Sequence, residues 1–527
     1  MIEIINMRTM LLLVSILLGF LSACSQEDSV VGLSRRELSD LDLKLDFSRV
    51  TKNGEPRLQV QVSFMMPRAQ MGLSLPDTFM RKEALYQRIE NLEVLSGGSV
   101  GNGKDNSIKI LQAPVGQRVS YRYLIRSYQE NADKNDSFSA PIIWDDYFQF
   151  VGSMGLVMPL AFRTNEELNL KVQWDMPSGH QVYNSFGAQE SSQSIQASGM
   201  ALMDAVFIGG STIRAQQYTV RGRPVTIALQ GTWDKISDRD FADVLTRLLE
   251  KQRETWGDDN FPHFLVSITA LGDGCTPNKP VKYVGTAHVN SFRAYFPGAC
   301  DFKPDMKQLI SHELMHMWIG KKIKVGALRG HIDGKWFTEG FTDYYGRILA
   351  YRAGVLSEAD YFSTLNRQVE KYSISDERQV RLAELVDRMY RKRISRPTNS
   401  ELEMVPYQQG EVLAWRLNKR IKVETKGSSS LDDVIHDLLS MAASAGGAKN
   451  FSIDEIAKSV NRFAPGIFMA EYDKINNGGF FNPPKLEDCA QPTSSNYLDF
   501  STENKQYSNK KPLAYRTIKS GCSKWLQ

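Results

Sequence analysis

Histidine and cysteine are both scarce in this chain of 527 residues, which holds seven of the first and five of the second. None of the cysteines has zinc-finger spacing, which argues against a second, structural metal site. A charge surplus is missing too. Lys and Arg number 64 against 60 Asp and Glu, a net charge of +4, and no stripe of basic and aromatic residues stands out, so nucleic acid is excluded as a partner. No internal repeat is visible. The apolar run from Met10 to Phe20 is too short to span a bilayer as a mature helix. What is left is an ordinary globular composition: 42% hydrophobic, 24% charged and 10% aromatic. At about 100–200 residues per domain, two to four domains are expected.

Against that background, two of the seven histidines stand four residues apart, in His312-Glu313-Leu314-Met315-His316. Positions i and i+4 share one helical face, so both imidazoles can converge on one divalent ion. Glu313 between them is then aimed at the metal-bound water, as a general base. A catalytic zinc needs a third protein ligand and keeps one position open. Trp336 to Tyr345 reads as a helix with Thr338 at its N-cap, and it carries Glu339 in the first turn. Glu339 is the expected third ligand. Asp343 follows four residues later on the same face, where it can accept the second N–H of a ligating imidazole, with His312 the expected recipient. His288 and His331 stay outside the set, because the ion already has its three ligands. One zinc ion is the implied cofactor, from ligand type.

These segments resemble the gluzincin metallopeptidases, and among them the glycyl aminopeptidase family. His312 to Ile323 is similar to the family's zinc-helix motif, and Trp336 to Tyr345 to its W-x-x-E-G-F-T-x-Y-Y run. Glu339 follows His316 by 23 positions, near the loose spacing of that family. Tyr407-Gln408-Gln409-Gly410 resembles a signature whose Tyr donates a hydrogen bond to the tetrahedral oxyanion, which implies that role for Tyr407. Ser430 to Val434 continues the likeness, which spans roughly residues 205 to 465. It implies an α+β multidomain protein: a β-rich N-terminal domain, then a thermolysin-like zinc metallopeptidase domain with a helical C-terminal part.

One stretch departs from the pattern. Relatives carry a strand before the zinc helix whose Glu binds the free α-amine of the substrate. Here the strand is Val284 to Ser291, and Ala287 stands where that carboxylate belongs. Gly285, Ala287 and His288 still form an edge able to pair with an extended peptide. That suits an endopeptidase, or an exopeptidase with a different anchor.

At the N-terminus, the apolar run reads as an export signal, with Met7-Arg8 as an alternative start. Leu21-Ser22-Ala23-Cys24 resembles a bacterial lipobox. The resemblance implies cleavage before Cys24, acylation of its thiol, and a lipid-anchored protein of the bacterial envelope, at the outer membrane and on its periplasmic or surface face. The other four cysteines are an even number in an exported chain. Cys275 with Cys300 and Cys489 with Cys522 is the favoured disulfide pairing of the three possible.

Along the chain, residues 1–23 are the signal. Alternating apolar residues from Leu41 to Phe47, Leu58 to Phe64 and Leu168 to Trp174 predict strands in a β-rich domain over 24–204. Ser96 to Lys104 is expected as a flexible loop. The catalytic domain is expected over 205–475, with a strand at Val225 to Leu229, a helix from Asp238 to about Arg253, and capping boxes at Ser430 and Ser452. Residues 476–527 are expected as an irregular tail. The function these readings imply is a zinc-dependent peptidase acting on peptides or proteins. The alternatives are a glycyl-type aminopeptidase with a substituted amine anchor, and an inactive peptide-binding envelope lipoprotein. The sequence leaves the oligomeric state open.

Overall fold

The computed structural model describes residues 41–80, 82–127, 138–188, 191–271, 283–326, 332–394, 400–479, 484, 490–494, 513–517, 522 and 526. The export segment, Cys24, Cys275, His331 and Cys489 lie outside these residues. Each expected disulfide therefore includes one residue outside them, while Cys300 and Cys522 are both buried. The chain divides into two compact units, Met1–Val182 with Gln189–Gly210 and Tyr183–Ala188 with Ser211–Gln527.

The first unit is built on a six-stranded sheet. Its order is Ser192–Ser198, Glu167–Asp175, Leu43–Lys52, Glu55–Met65, Arg118–Arg126 and Ile89–Ser96. Period-two alternation sets its faces: Leu43, Leu45 and Phe47 are buried, with Lys44 and Asp46 half-exposed between them. Phe47 stacks on Trp174 with ring centroids 4.3 Å apart. The loop expected at Ser96 to Lys104 is partly a strand, because Ser99–Asn102 pairs with Ile108–Gln112. Its glycines serve close approach. A Cβ on Gly97, whose φ is +83°, would lie 2.2 Å from the Arg118 carbonyl oxygen, and one on Gly98 would lie 2.4 Å from that of Gln112.

The second unit begins with a five-stranded mixed sheet. Its strands are β1 (Arg214–Val220), β2 (Arg223–Gln230), β3 (Phe264–Ala270), β4 (Val284–His288) and β5 (Ser291–Phe296), in the order β1-β2-β3-β5-β4. Helix α1 (Asp238–Trp256) joins the parallel pair β2 and β3. Ser237 and Asp240 cap it in a reciprocal box, and Gly257 ends it in the left-handed region. Phe241, Leu245, Leu248 and Leu249 face Val225, Ile227 and Leu229 in one apolar core. A two-residue turn, with Asn290 at φ 43°, folds β4 back along β5 and leaves it at the sheet edge.

Helices follow: α2 (Pro304–Met315), α3 (Lys335–Thr338), α4 (Gly340–Arg352), α5 (Glu358–Ile374), α6 (Leu382–Ile394), α7 (Ser400–Glu424), α8 (Leu431–Ser444), α9 (Ile453–Asn461) and α10 (Ile467–Asn476). The boxes at Ser430 and Ser452 open α8 and α9. The tail expected to be irregular carries an antiparallel ladder, Ala490–Ser494 with Leu513–Thr517. Neither segment alternates apolar and polar residues clearly, and one contains Pro492. Their pairing is made by backbone hydrogen bonds across a long connection, which leaves no local trace in sequence. The tail also returns to the helices: the Cys522 N–H donates to Glu358 at 2.9 Å, and Arg352 donates to the Leu526 carbonyl at 3.0 Å.

Candidate metal centre

Helix α2 starts with Pro304 at its first position and buries Met306, Ile310 and Leu314, which fixes the face that His312 and Glu313 present. His316 caps the helix and remains helical, at φ −59° and ψ −16°. The two imidazoles therefore sit side by side, ring centroids 4.7 Å apart and perpendicular. Beyond them Gly320, at φ +101°, turns the chain. Trp318 and Lys322 both hydrogen-bond to Asp258, pinning the exit of the helix.

Glu339 arrives from α3 and α4. The helix was expected to start at a Thr338 cap, yet it begins one turn earlier at Lys335. Thr338 is the last residue of that turn, and its hydroxyl bonds back to the Gly334 carbonyl at 3.3 Å. Glu339 thus stands at the junction of two helical segments, with backbone bonds continuing through it. One carboxylate oxygen of Glu339 lies 3.5 Å from Nε2 of His312 and 3.5 Å from Nε2 of His316. Ligand atoms about 2.0–2.1 Å from a tetrahedral zinc are about 3.3–3.5 Å from one another, so this spacing fits one ion. Among the described residues, His312, His316 and Glu339 are the group that could hold a metal.

The second nitrogens are engaged as well. Nδ1–H of His312 donates to Asp343 at 2.8 Å, and Nδ1–H of His316 donates to the Ile319 carbonyl at 3.1 Å, which leaves both Nε2 atoms free to ligate. Gln308, one turn before His312, donates to the same Asp343 oxygen at 3.2 Å. Sequence reasoning missed Gln308, although its i−4 spacing from His312 was the signal that finds it.

Backbone proximity makes this assembly possible. A Cβ on Gly346 of α4 would meet Cα and N of His312 at 3.0 Å, so α2 and α4 cross there. A Cβ on Gly410 of α7 would stand 1.7 Å from the Trp336 carbonyl oxygen, and one on Gly340 would stand 2.4 Å from Cα of Gly410. Only glycine fits this crossing. It brings Tyr407, one turn before Gly410, against the cluster: its ring lies 6.3 Å from that of His312, nearly parallel, and its hydroxyl hydrogen-bonds to Glu339. One turn further along both helices, Arg347 of α4 holds Glu411 of α7 through two bonds, at 2.9 and 3.3 Å, with each side chain 2% exposed.

Strand β4 closes the other side. A Cβ on Gly285 would lie 2.8 Å from Cγ of Glu313, so the glycine admits the carboxylate beside the strand, where the Ala287 backbone N–H donates to it. Ala287 shares this face and is half-buried. His288 is turned away into a buried network with Thr286, at 2.8 Å, and Arg293, at 3.4 Å.

The electrostatics are those of a pocket short of positive charge. Burial favours the neutral form of Glu339, yet the His312 and His316 imidazoles beside it, when protonated, hold its carboxyl well below the usual range. Burial depresses the His312 imidazole, but the charge and hydrogen bond of Asp343, with Glu339 and Glu313 beside it, outweigh this and hold it well above its ordinary value. Burial raises Glu313, tempered by the imidazoles, and burial with three nearby carboxylates raises Tyr407 well above the phenol range. Two imidazoles among three acids are a donor set that a divalent cation neutralises.

Residues 305–413 match the M61 glycyl aminopeptidase family. The matched segment contains both histidines, Glu339, Asp343, Tyr407 and Gly410. No curated protein matches the chain. Among solved structures, an aminopeptidase N family protein from Idiomarina loihiensis aligns with a TM-score of 0.69 at 16% identity, over 86% of this chain and 79% of that one. An M1 zinc metallopeptidase from Deinococcus radiodurans, a Glu-to-Ala variant bound to a Tyr-Ser-Ala substrate, aligns with a TM-score of 0.51 at 13% identity, over 85% and 95%. At such identities the likeness is one of fold. Together with the M61 segment it supports a metallopeptidase of mixed α and β structure, resembling the gluzincin family expected from the sequence.

Proposed function

We propose that this protein is a zinc-dependent peptidase whose ion is held by His312, His316 and Glu339. The observation that carries the reading is the single Glu339 oxygen equidistant from both Nε2 atoms. Zinc bound there supplies a Lewis acid for the scissile carbonyl and a water acidified toward a pKa of roughly 7. Glu313 accepts the proton of the attacking water and passes it to the departing amine; its buried carboxyl, fixed by the Ala287 N–H, is already oriented for that. Tyr407 keeps its proton and offers its O–H to the tetrahedral oxyanion, a contact whose loss costs about a hundredfold or more in rate. Asp343 fixes the His312 ring and tautomer. Peptide substrate pairs along the free edge of β4, the kind of ligand that the Deinococcus relative carries.

Glu313→Gln keeps the shape and the zinc ligands but removes the base. The expected outcome is stoichiometric zinc with turnover lost; a variant cleaving at the wild-type rate removes Glu313 from the mechanism. Ala287 favours cleavage that does not depend on a free α-amine, because Glu313, Glu339 and Asp343 are each engaged already. Comparing N-acetylated with free peptides separates an endopeptidase from a glycyl-type aminopeptidase. Cleavage of neither, with zinc bound, favours the peptide-binding lipoprotein. We also propose export and acylation at Cys24, tethering the enzyme to the envelope membrane, and disulfides at Cys275–Cys300 and Cys489–Cys522. Among the described residues no helix is long and apolar enough to cross a membrane.

A further inference from the structure

We propose that Lys335 is a specificity residue of this site, its ammonium receiving a carboxylate of the bound peptide; this rests on the peptidase reading above. Lys335 opens α3 one turn before Glu339, so the two side chains share a face. At that spacing an ion pair between them is the ordinary outcome, yet Glu339 is turned to the two imidazoles at 3.5 Å each. The Lys335 ammonium instead lies over the Tyr407 ring, 5.9 Å from its centroid, and pairs with no carboxylate among the described residues. Each acid of the cluster has a partner already: Glu339 has the histidines, Asp343 has His312 and Gln308, and Glu313 has the Ala287 N–H.

Lys335 is half-buried, and an ammonium over a ring with no carboxylate partner gains a charge-assisted hydrogen bond from an incoming anion. Its place over the Tyr407 ring, which in turn lies nearly parallel to the His312 ring at 6.3 Å, puts that anion on the side of the cluster where Tyr407 meets the substrate. Lysine is a compact point charge on a flexible stem, so it accepts a side-chain acid or a terminal carboxyl equally well. With Ala287 adding no negative charge on the strand side, the pocket around the bond selects acidic or carboxyl-terminated peptides.

The test uses three N-acetylated peptides of one core sequence: a neutral amide, the same amide with Glu beside the cleaved bond, and the neutral core with a free carboxyl end. For the zinc-loaded wild type, kcat/KM is expected to be about tenfold to a hundredfold higher for at least one carboxylate peptide than for the neutral amide. Which of the two gains identifies the source of the carboxylate. Lys335→Met should abolish the gain while leaving the neutral amide within about threefold, and Lys335→Glu should reverse the preference toward a peptide with Lys at the same position. A ratio unchanged in Lys335→Met overturns the assignment. Binding of the same peptides to zinc-loaded Glu313→Gln protein, by calorimetry, reads the preference without turnover. If nothing is cleaved but the carboxylate peptides bind more tightly in a Lys335-dependent way, the peptidase reading fails and the Lys335 assignment stands. Equal binding of all three overturns it.

Discussion

The two halves of the site are built differently. On the metal side, α2, α4 and α7 cross at Gly346, Gly340 and Gly410, and both imidazoles are held by a second group, His312 by Asp343, itself held by Gln308, and His316 by the Ile319 carbonyl. On the substrate side stands one edge strand, with Gly285 giving way to Glu313, Ala287 half-buried, and backbone groups as its main offering. On the proposed peptidase reading, the difference teaches that the chemistry is fixed by interlocked helices, while the choice of substrate rests on a few replaceable side chains. A ligand set tolerates little displacement; an edge strand accepts many sequences.

The largest expected effect is on the metal side. Glu411→Leu leaves the Arg347 guanidinium charged and buried, which costs about 3–5 kcal/mol of stability. Denaturant titration reads this, and the double variant with Arg347→Met should recover a large part. A neutral single variant would show that α4 and α7 do not depend on this pair.

Asp343→Asn comes next. It should weaken zinc about 10- to 100-fold, measured by chelator competition, with the fold intact in circular dichroism. Unchanged affinity would release Asp343 from any part in orienting His312.

The smallest effect belongs to the strand. Ala287→Glu places a carboxylate on the face that Gly285 turns toward Glu313. It is expected to raise kcat/KM for free-amine peptides over N-acetylated ones by about tenfold, with zinc content unchanged. An unaltered ratio would mean that β4 does not run beside the substrate amine.

How much of this was readable beforehand follows the same division. His312, Glu313 and His316 lie within one helical turn, and Asp343 is four residues from Glu339, so local spacing announced them. The strands at Leu43–Lys52 and Glu167–Asp175 were announced in the same way by period-two alternation. Three features were not announced. The helix begins at Lys335 rather than at a Thr338 cap, because the Thr338 hydroxyl satisfies the Gly334 carbonyl instead of a first-turn N–H. The Gly410 crossing depends on a helix about seventy residues from Trp336, and sequence distance hides such backbone contacts. The ladder of Ala490–Ser494 with Leu513–Thr517 is fixed by backbone pairing between segments without a hydrophobic period. Glycine carried a double meaning throughout: at Gly97 and Gly98 it marked close packing where composition suggested flexibility.

The central claim is one ion between two imidazoles and one carboxylate. An anomalous difference map at the zinc absorption edge, from crystals of the metal-loaded protein, tests it most directly. The account predicts one strong peak about 2.0–2.2 Å from Nε2 of His312, Nε2 of His316 and a Glu339 oxygen. A map with no peak there, or a zinc ligated by other side chains while Glu339 stands apart, would contradict it.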